Sequence, residues 1–125
     1  MIAKILIIDD DKSTRVLIRL ILESAGHCVF EAEDGMKGVK IFNENKIDLV
    51  VTDIIMPEKE GLETIIDIRN ICPDVKIIAI SSGGSDSADP NIYLKMANEL
   101  GAQEVIAKPI GKIELLASVN ALLEL

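Results

Sequence analysis

Tryptophan is absent from this 125-residue chain, and aromatic residues make up only 2% of it. Apolar residues nevertheless reach 49%, so any core must be assembled from Ile, Leu, Val and Ala. That composition suits close-packed strands and helices better than a β-sandwich, and it supports a core without disulfide or metal staples. The length fits one domain over residues 1–125. Basic residues are also scarce: 13 Lys and Arg stand against 21 Asp and Glu, for a net charge of −8. Binding to a nucleic-acid backbone requires clustered Lys and Arg, so direct nucleic-acid contact is not expected, nor is docking on an anionic membrane. The one histidine, His27, and two cysteines, Cys28 and Cys72, are too few and too scattered for a zinc site. The thiols read as small packing groups, and His27, after Gly26, as a structural residue at a helix-to-strand junction. No run approaches the roughly 18 apolar residues of a membrane span. The opening MIAKILIIDDD lacks the apolar core and cleavage site of a signal peptide, so a reducing, cytoplasmic location is the default expectation.

What the chain does have is a set of short β-branched runs. Those at 5–8, 47–52, 75–80 and 105–107 are nearly continuous rather than alternating, as for parallel strands covered on both faces. A weaker fifth candidate lies at 27–31. Helix-length segments separate them. Residues 12–25 carry Val16, Leu17, Leu20 and Ile21 at helical spacing, with Gly26 as terminator and Asp11 as the natural cap. Residues 36–45 place Val39 and Phe42 on one face. Residues 62–71 offer Leu62, Ile65, Ile66 and Arg69 before Pro73 forbids continuation. Asp89-Pro90 opens a helix expected to run to Leu100, and a last one begins near Gly111 with Ile113, Leu116, Val119 and Leu123 as its buried stripe. Strand and helix alternate five times, which predicts a five-stranded parallel sheet between two helix layers, a (βα)5 flavodoxin-like sandwich of the α/β class. The sequence ends in the fifth helix, so no output domain is expected after it.

In such a sheet, ligands bind just beyond the carboxyl ends of the strands. The residues there are Asp9, Asp10 and Asp11 after the first run, Asp53 after the third, Ser81 and Ser82 after the fourth, and Lys108 after the fifth. Carboxylates gathered at one edge repel one another, and a hard divalent cation relieves this. Mg²⁺ takes oxygen ligands and keeps several waters, so two carboxylates and a carbonyl suffice. With Lys108 and the Ser81 hydroxyl, the parts for phosphoryl transfer to a carboxylate are present. Asp53 is then the nucleophile, Lys108 neutralises charge and Ser81 donates a hydrogen bond to the phosphoryl group. Taken singly, each residue has a plain reading as a cap or turn, and Asp11 most of all.

The ordered set ILIIDDD, LVVTDIIMPEKEG, IIAISS and GAQEVIAKPI resembles the receiver domains of two-component signalling, the fold of the chemotaxis response regulator, over residues 3–124. The resemblance implies that Asp53 accepts phosphate from a phosphohistidine on a sensor histidine kinase or a histidine phosphotransfer domain. It implies Mg²⁺ bound by Asp10, Asp53 and the carbonyl of Ile55, with Asp9 acting through water. Ser81 would turn toward the phosphoryl group, Lys108 would pair with it, and the Lys108–Pro109 bond would be cis. The domain would then be a switch that catalyses only its own phosphorylation and dephosphorylation and signals to a downstream effector of unknown identity. Three positions depart from the family pattern. Val105 stands where an aromatic that rotates inward is common, Ser82 stands where Ala or Gly is common, and the Gly/Ser-rich segment 82–90 is long and borders the site.

Three rival readings use the same residues. In a haloacid-dehalogenase-like phosphatase, Asp9 would be nucleophile and Asp11 general acid, with Ser81 and Lys108 in later roles. That leaves LVVTDIIMP unexplained, and no cap insertion or acidic pair after Lys108 is evident. A receiver-like scaffold that never gains phosphate would be free to lose the Asp/Asp/Ser/Lys set. A flavodoxin-like cofactor binder would need a phosphate loop after the first strand, and none is there.

Overall fold

Each apolar run becomes a strand: β1 Lys4–Ile8, β2 Cys28–Ala32, β3 Leu49–Asp53, β4 Lys76–Ser81 and β5 Glu104–Ala107. All pair in parallel, in the order β2-β1-β3-β4-β5. The computed structural model describes residues 2–54, 61–81, 95, 98–99 and 101–124. Within them lie α1 Lys12–Ser24, α2 Gly35–Glu44, α3 Gly61–Ile71 and a C-terminal helix, Lys112–Glu124. Lys95, Asn98 and Glu99 are helical, as expected of the segment ending at Leu100. The rest of that segment, and residues 82–90, lie outside the described residues.

Successive strand side chains point to opposite faces, and the core divides accordingly. Leu6, Ile8, Val50, Ile77 and Ala79 cluster with Phe42, Ile65 and Ile68 of α2 and α3. Ile5, Ile7, Leu49, Val51, Ile78 and Ile80 cluster with Ile18, Ile21 and Leu22 of α1 and with Leu115 and Val119 of the C-terminal helix. This is the expected three-layer sandwich. Its aliphatic make-up follows from the composition, with Phe42 the one aromatic among the buried core residues described.

Two helix faces differ from the spacing-based expectation. In α1 the buried stripe is Ile18, Ile21 and Leu22, while Val16, Leu17 and Leu20 stay exposed. In the C-terminal helix Leu115 and Val119 are buried and Ile113 is 86% exposed. Both helices are apolar on more than one side, so periodicity alone leaves their rotation open. Packing on the sheet then decides, at about 1.5–3 kcal/mol for each fully buried aliphatic side chain. The ends of α1 are as expected. Asp11 accepts the Ser13 N–H at 3.2 Å, and Gly26, at φ +93°, returns its N–H to Glu23 O at 2.9 Å.

Candidate functional site

The register places the chemistry. Ile8 pairs with Thr52, Asp53 with Ile80, and Ser81 with Ala107. The residues leaving β1 and β5 therefore reach the same sheet edge as the last residues of β3 and β4. Chain direction across the sheet reverses between β1 and β3, since β2 lies to one side and β4 and β5 to the other. A crevice at such a point is where open parallel sheets bind ligands.

Asp9 and Asp53 are buried there, whereas Asp10 is exposed. One carboxylate oxygen from each of the three lies within 4.8 Å of the others. Lys108 reaches in from the end of β5, its Nζ 3.2 Å from Asp53 Oδ2 and 3.3 Å from Asp9 Oδ2. Ser81, also buried, ends β4, and its carbonyl accepts the Lys108 N–H at 2.8 Å. The Lys108–Pro109 peptide is cis, as the resemblance implies. Asp9, Asp10, Asp53 and Lys108 are thus brought together, with Ser81 on the adjoining strand end. Ile55, Met56 and Pro57 lie outside the described residues.

Among the described residues one ammonium, Lys108, pairs with two of the three clustered carboxylates, and the charges respond. Burial, reinforced by the Asp53 charge, pushes the Asp9 carboxyl up to about 6, although the Asp11 N–H and Lys108 oppose it. Burial alone would lower Lys108, but Asp53 and then Asp9 outweigh it and hold the ammonium above its ordinary value. Asp11 is held below the usual carboxylate range, first by the Thr14 hydroxyl at 2.8 Å, which fits its role as a cap. Asp9 Oδ1 takes the Asp11 N–H at 2.8 Å. Asp9 Oδ2 is buried and accepts no hydrogen bond among the described residues, with only the ion-pair contact to Lys108. An orphaned buried carboxylate oxygen beside two further carboxylates is a donor set for a hard, oxygen-seeking divalent cation, not for a soft metal.

The model of the response regulator receiver domain family matches residues 5–120. The chain belongs to this family. It is a receiver domain of two-component systems, whose role is that of a phosphoryl-accepting signal switch. The match decides against the dehalogenase-like reading, in which LVVTDIIMP had no explanation. Among curated relatives, the transcriptional regulatory protein GlrR of Escherichia coli K12 is 31% identical over 122 residues, which are 98% of this chain and 26% of GlrR. The response regulator MprA of Mycobacterium sp. strain KMS is 32% identical over 123 residues, 98% of this chain and 51% of MprA. The receiver domain thus spans between a quarter and about half of these relatives' length. The crystal structure of response regulator TrrA from Thermotoga maritima, in complex with Mg(2+)-BeF, superposes with a TM-score of 0.83 at 31% identity, covering 96% of this chain and 98% of that one.

Three residues that shape the site carry little sequence signal of their role. Arg15 and Glu31 form a brace beneath Asp9. The only sequence signal for it is an arginine one turn into α1 and an acid inside the otherwise apolar CVFEA of β2. Gly61 belongs to the motif, but its reason is spatial: a Cβ there would lie 1.8 Å from the Asp53 carbonyl oxygen.

Proposed function

We propose that Asp53 is the phosphoryl acceptor of this receiver domain, with Lys108 and Ser81 as its partners and Asp9, Asp10, Asp53 and the Ile55 carbonyl as the Mg²⁺ ligands. The observation that carries this reading is Lys108 Nζ at 3.2 Å from Asp53 Oδ2, inside an acid cluster at the reversal point of the sheet. Of the three carboxylates, Asp53 is the best-placed nucleophile. Asp9 is drawn toward its protonated form by burial and spends one oxygen on the Asp11 N–H. Asp10 is exposed to water.

A carboxylate oxygen of Asp53 attacks the phosphorus of a phosphohistidine on a sensor histidine kinase or histidine phosphotransfer domain. The P–N bond breaks, the imidazole leaves and an aspartyl phosphate forms; attack by water on that phosphorus later reverses it. Bound Mg²⁺ supplies charge neutralisation for the carboxylates and for the phosphoryl oxygens. Lys108, already fully charged, moves from Asp53 Oδ2 to the added phosphoryl oxygens. The Ser81 hydroxyl donates to another of them, and both shifts draw on β4 and β5. The new charge, about −1.5 to −2, thereby biases the outer surface of the domain between two states. On this reading the domain catalyses only its own phosphorylation and dephosphorylation, acts in the cytoplasm and passes its state to a downstream effector of unknown identity. Its −8 charge supports a domain that does not itself contact nucleic acid. No helix among the described residues is long and apolar enough to cross a membrane.

Labelling with acetyl phosphate in Mg²⁺ tests the assignment. Wild type is expected to gain one acid-stable, hydroxylamine-labile phosphate, and Asp53→Asn none. Wild-type stoichiometry in that variant, with the acyl phosphate mapped elsewhere, would overturn it.

A further inference from the structure

A row of charges runs along α1 and ends on the backbone of the acid cluster. Arg15 Nη1 donates to the Asp9 carbonyl oxygen at 2.7 Å, and Arg15 Nε donates to Glu31 Oε1 at 3.1 Å. Arg19 Nη1 holds the other Glu31 oxygen at 2.5 Å, and Arg19 Nε pairs with Glu23 at 3.0 Å. The Arg15 side chain is 15% exposed and that of Glu31 24%, so the inner pair is largely shielded from solvent, unlike the outer one. Arg19 and then Arg15 hold Glu31 below its ordinary range against the effect of burial, which keeps it charged at neutral pH.

The carbonyl held by Arg15 belongs to the planar peptide that joins Asp9 to Asp10. The other side of Asp9 is fixed by its N–H to Ala32 O at 3.1 Å. The peptide after Asp10 is held as well, by the Asp11 N–H on Asp9 Oδ1 at 2.8 Å, so with the peptides on both sides of Asp10 pinned, the direction in which its side chain leaves the backbone is set. No side-chain hydrogen bond or ion pair holds the Asp10 carboxylate among the described residues, yet it lies within 4.8 Å of those of Asp9 and Asp53.

We infer that Arg15, backed by Glu31, is a positioning residue for the divalent-cation site, holding the Asp9–Asp10 peptide so that Asp10 is already turned toward Asp9 and Asp53 before the cation arrives. Glu31 orients the guanidinium fork and keeps it from closing on the Asp10 carboxylate instead. The inference rests on the proposed assignment of Asp9, Asp10 and Asp53 to Mg²⁺. It makes a prediction opposite in sign to that of simple charge. Arg15 is a cation near a cation site, so its field alone opposes Mg²⁺ and its removal would tighten binding. A brace predicts weaker binding, because the free site must now pay the ordering cost of Asp10.

The test is calorimetric titration of Mg²⁺ alone into wild type, Arg15→Gln and Arg19→Gln. Arg15→Gln is expected to weaken Mg²⁺ binding about tenfold, in the range found for groups that orient metal ligands. Arg19→Gln removes the same charge without touching Asp9, and its affinity should stay near wild type. In EDTA, the Asp10 amide of Arg15→Gln should show a lower NMR order parameter than in wild type. Acetyl phosphate labelling should need more Mg²⁺ for half-saturation and reach the wild-type rate at saturation. If Arg15→Gln does not fold, Arg15→Lys keeps the charge but cannot span both Asp9 O and Glu31, and it should show the same weakening. Unchanged or tighter Mg²⁺ binding in these Arg15 variants would overturn the inference. An Asp10→Asn variant with wild-type Mg²⁺ affinity would instead overturn the cation site itself, a separate failure.

Discussion

Lys108 Nζ lies 3.2 Å from Asp53 Oδ2, so the ammonium occupies one side of the carboxylate proposed as nucleophile. It is one of few groups that can carry a change at Asp53 to β5, because its own N–H is bonded to Ser81 O at the end of β4. Lys108→Ala is therefore expected to keep the fold and to break the link between the acyl phosphate and the outer surface. Amide spectra of the variant should move little on adding Mg²⁺ and beryllofluoride, outside the immediate neighbourhood of Asp53. A wild-type pattern of shifts across β5 and the C-terminal helix would refute this role.

Asp9 makes the metal-free protein sensitive to pH in an unusual direction. Its carboxyl has an ordinary value of 3.8 and is raised to about 6 in the fold, chiefly by burial. Between those values the folded chain binds the proton more tightly than the unfolded one. The contribution of this group is thus fully present below about pH 4 and is lost as pH rises through about 6. The span corresponds to about 3 kcal/mol. Asp9→Asn keeps the oxygen that accepts the Asp11 N–H and removes the charge. In EDTA at pH 8 it should be more stable than wild type by about 1–3 kcal/mol, with the gap closing near pH 4. Urea unfolding at the two pH values measures both numbers, and a variant less stable than wild type at pH 8 would contradict the account. Saturating Mg²⁺ at pH 8 should narrow the difference by stabilising wild type more.

Gly61 is a packing requirement of the proposed phosphoacceptor strand. Its N–H donates to Ile54 O at 2.8 Å, and an added Cβ would meet Asp53 O at 1.8 Å and Ile54 Cα at 2.5 Å. Both obstacles are backbone, so no rotamer change relieves them. Gly61→Ala should destabilise the domain by at least about 2 kcal/mol and slow acetyl phosphate labelling through displacement of Asp53. Unfolding free energy within about 0.5 kcal/mol of wild type would show that the α3 start can shift freely.

The strands and their order of chemistry were legible because β-branched runs are a local signal and the residue ending each run is fixed by counting. Asp53, Ser81 and Lys108 needed no tertiary information beyond the rule that a parallel sheet gathers its carboxyl ends. The rotation of α1 and of the C-terminal helix was not legible. Leu20 and Ile113 are as apolar as Ile21 and Leu115, and only the sheet surface chooses between them. Arg15 and Glu31 were invisible for a related reason: a pair 16 residues apart becomes one device only when β2 takes its register beside β1. Arg69 shows the same limit, since it shares a helix face with Ile65 in the sequence and is a polar anchor in the fold.

Arg69 ties the far edge of the sheet together. Its Nη1 donates to Pro73 O at 2.7 Å and Val75 O at 2.6 Å, and its Nη2 to Gly101 O at 2.5 Å and Gln103 Oε1 at 3.3 Å. Gln103 Oε1 also accepts the Ile77 N–H at 2.8 Å, so α3, the start of β4 and the entry to β5 share one network. Burial holds the guanidinium below its ordinary value, and its Nε is buried without a hydrogen bond among the described residues. Gly101 accommodates it, since a Cβ there would lie 2.9 Å from Arg69 Nε. Removing the guanidinium strands Pro73 O and Gly101 O, while Val75 O keeps the Gln103 Nε2 donor at 3.3 Å, and the loss costs about 1–3 kcal/mol for each carbonyl that water cannot reach. Arg69→Met should therefore lower stability by about 2–4 kcal/mol. Arg69→Lys should recover only part of this, because one ammonium cannot reproduce the planar fork. Urea unfolding of the three proteins decides the matter. A methionine variant within about 0.5 kcal/mol of wild type would mean that water replaces the guanidinium at this edge.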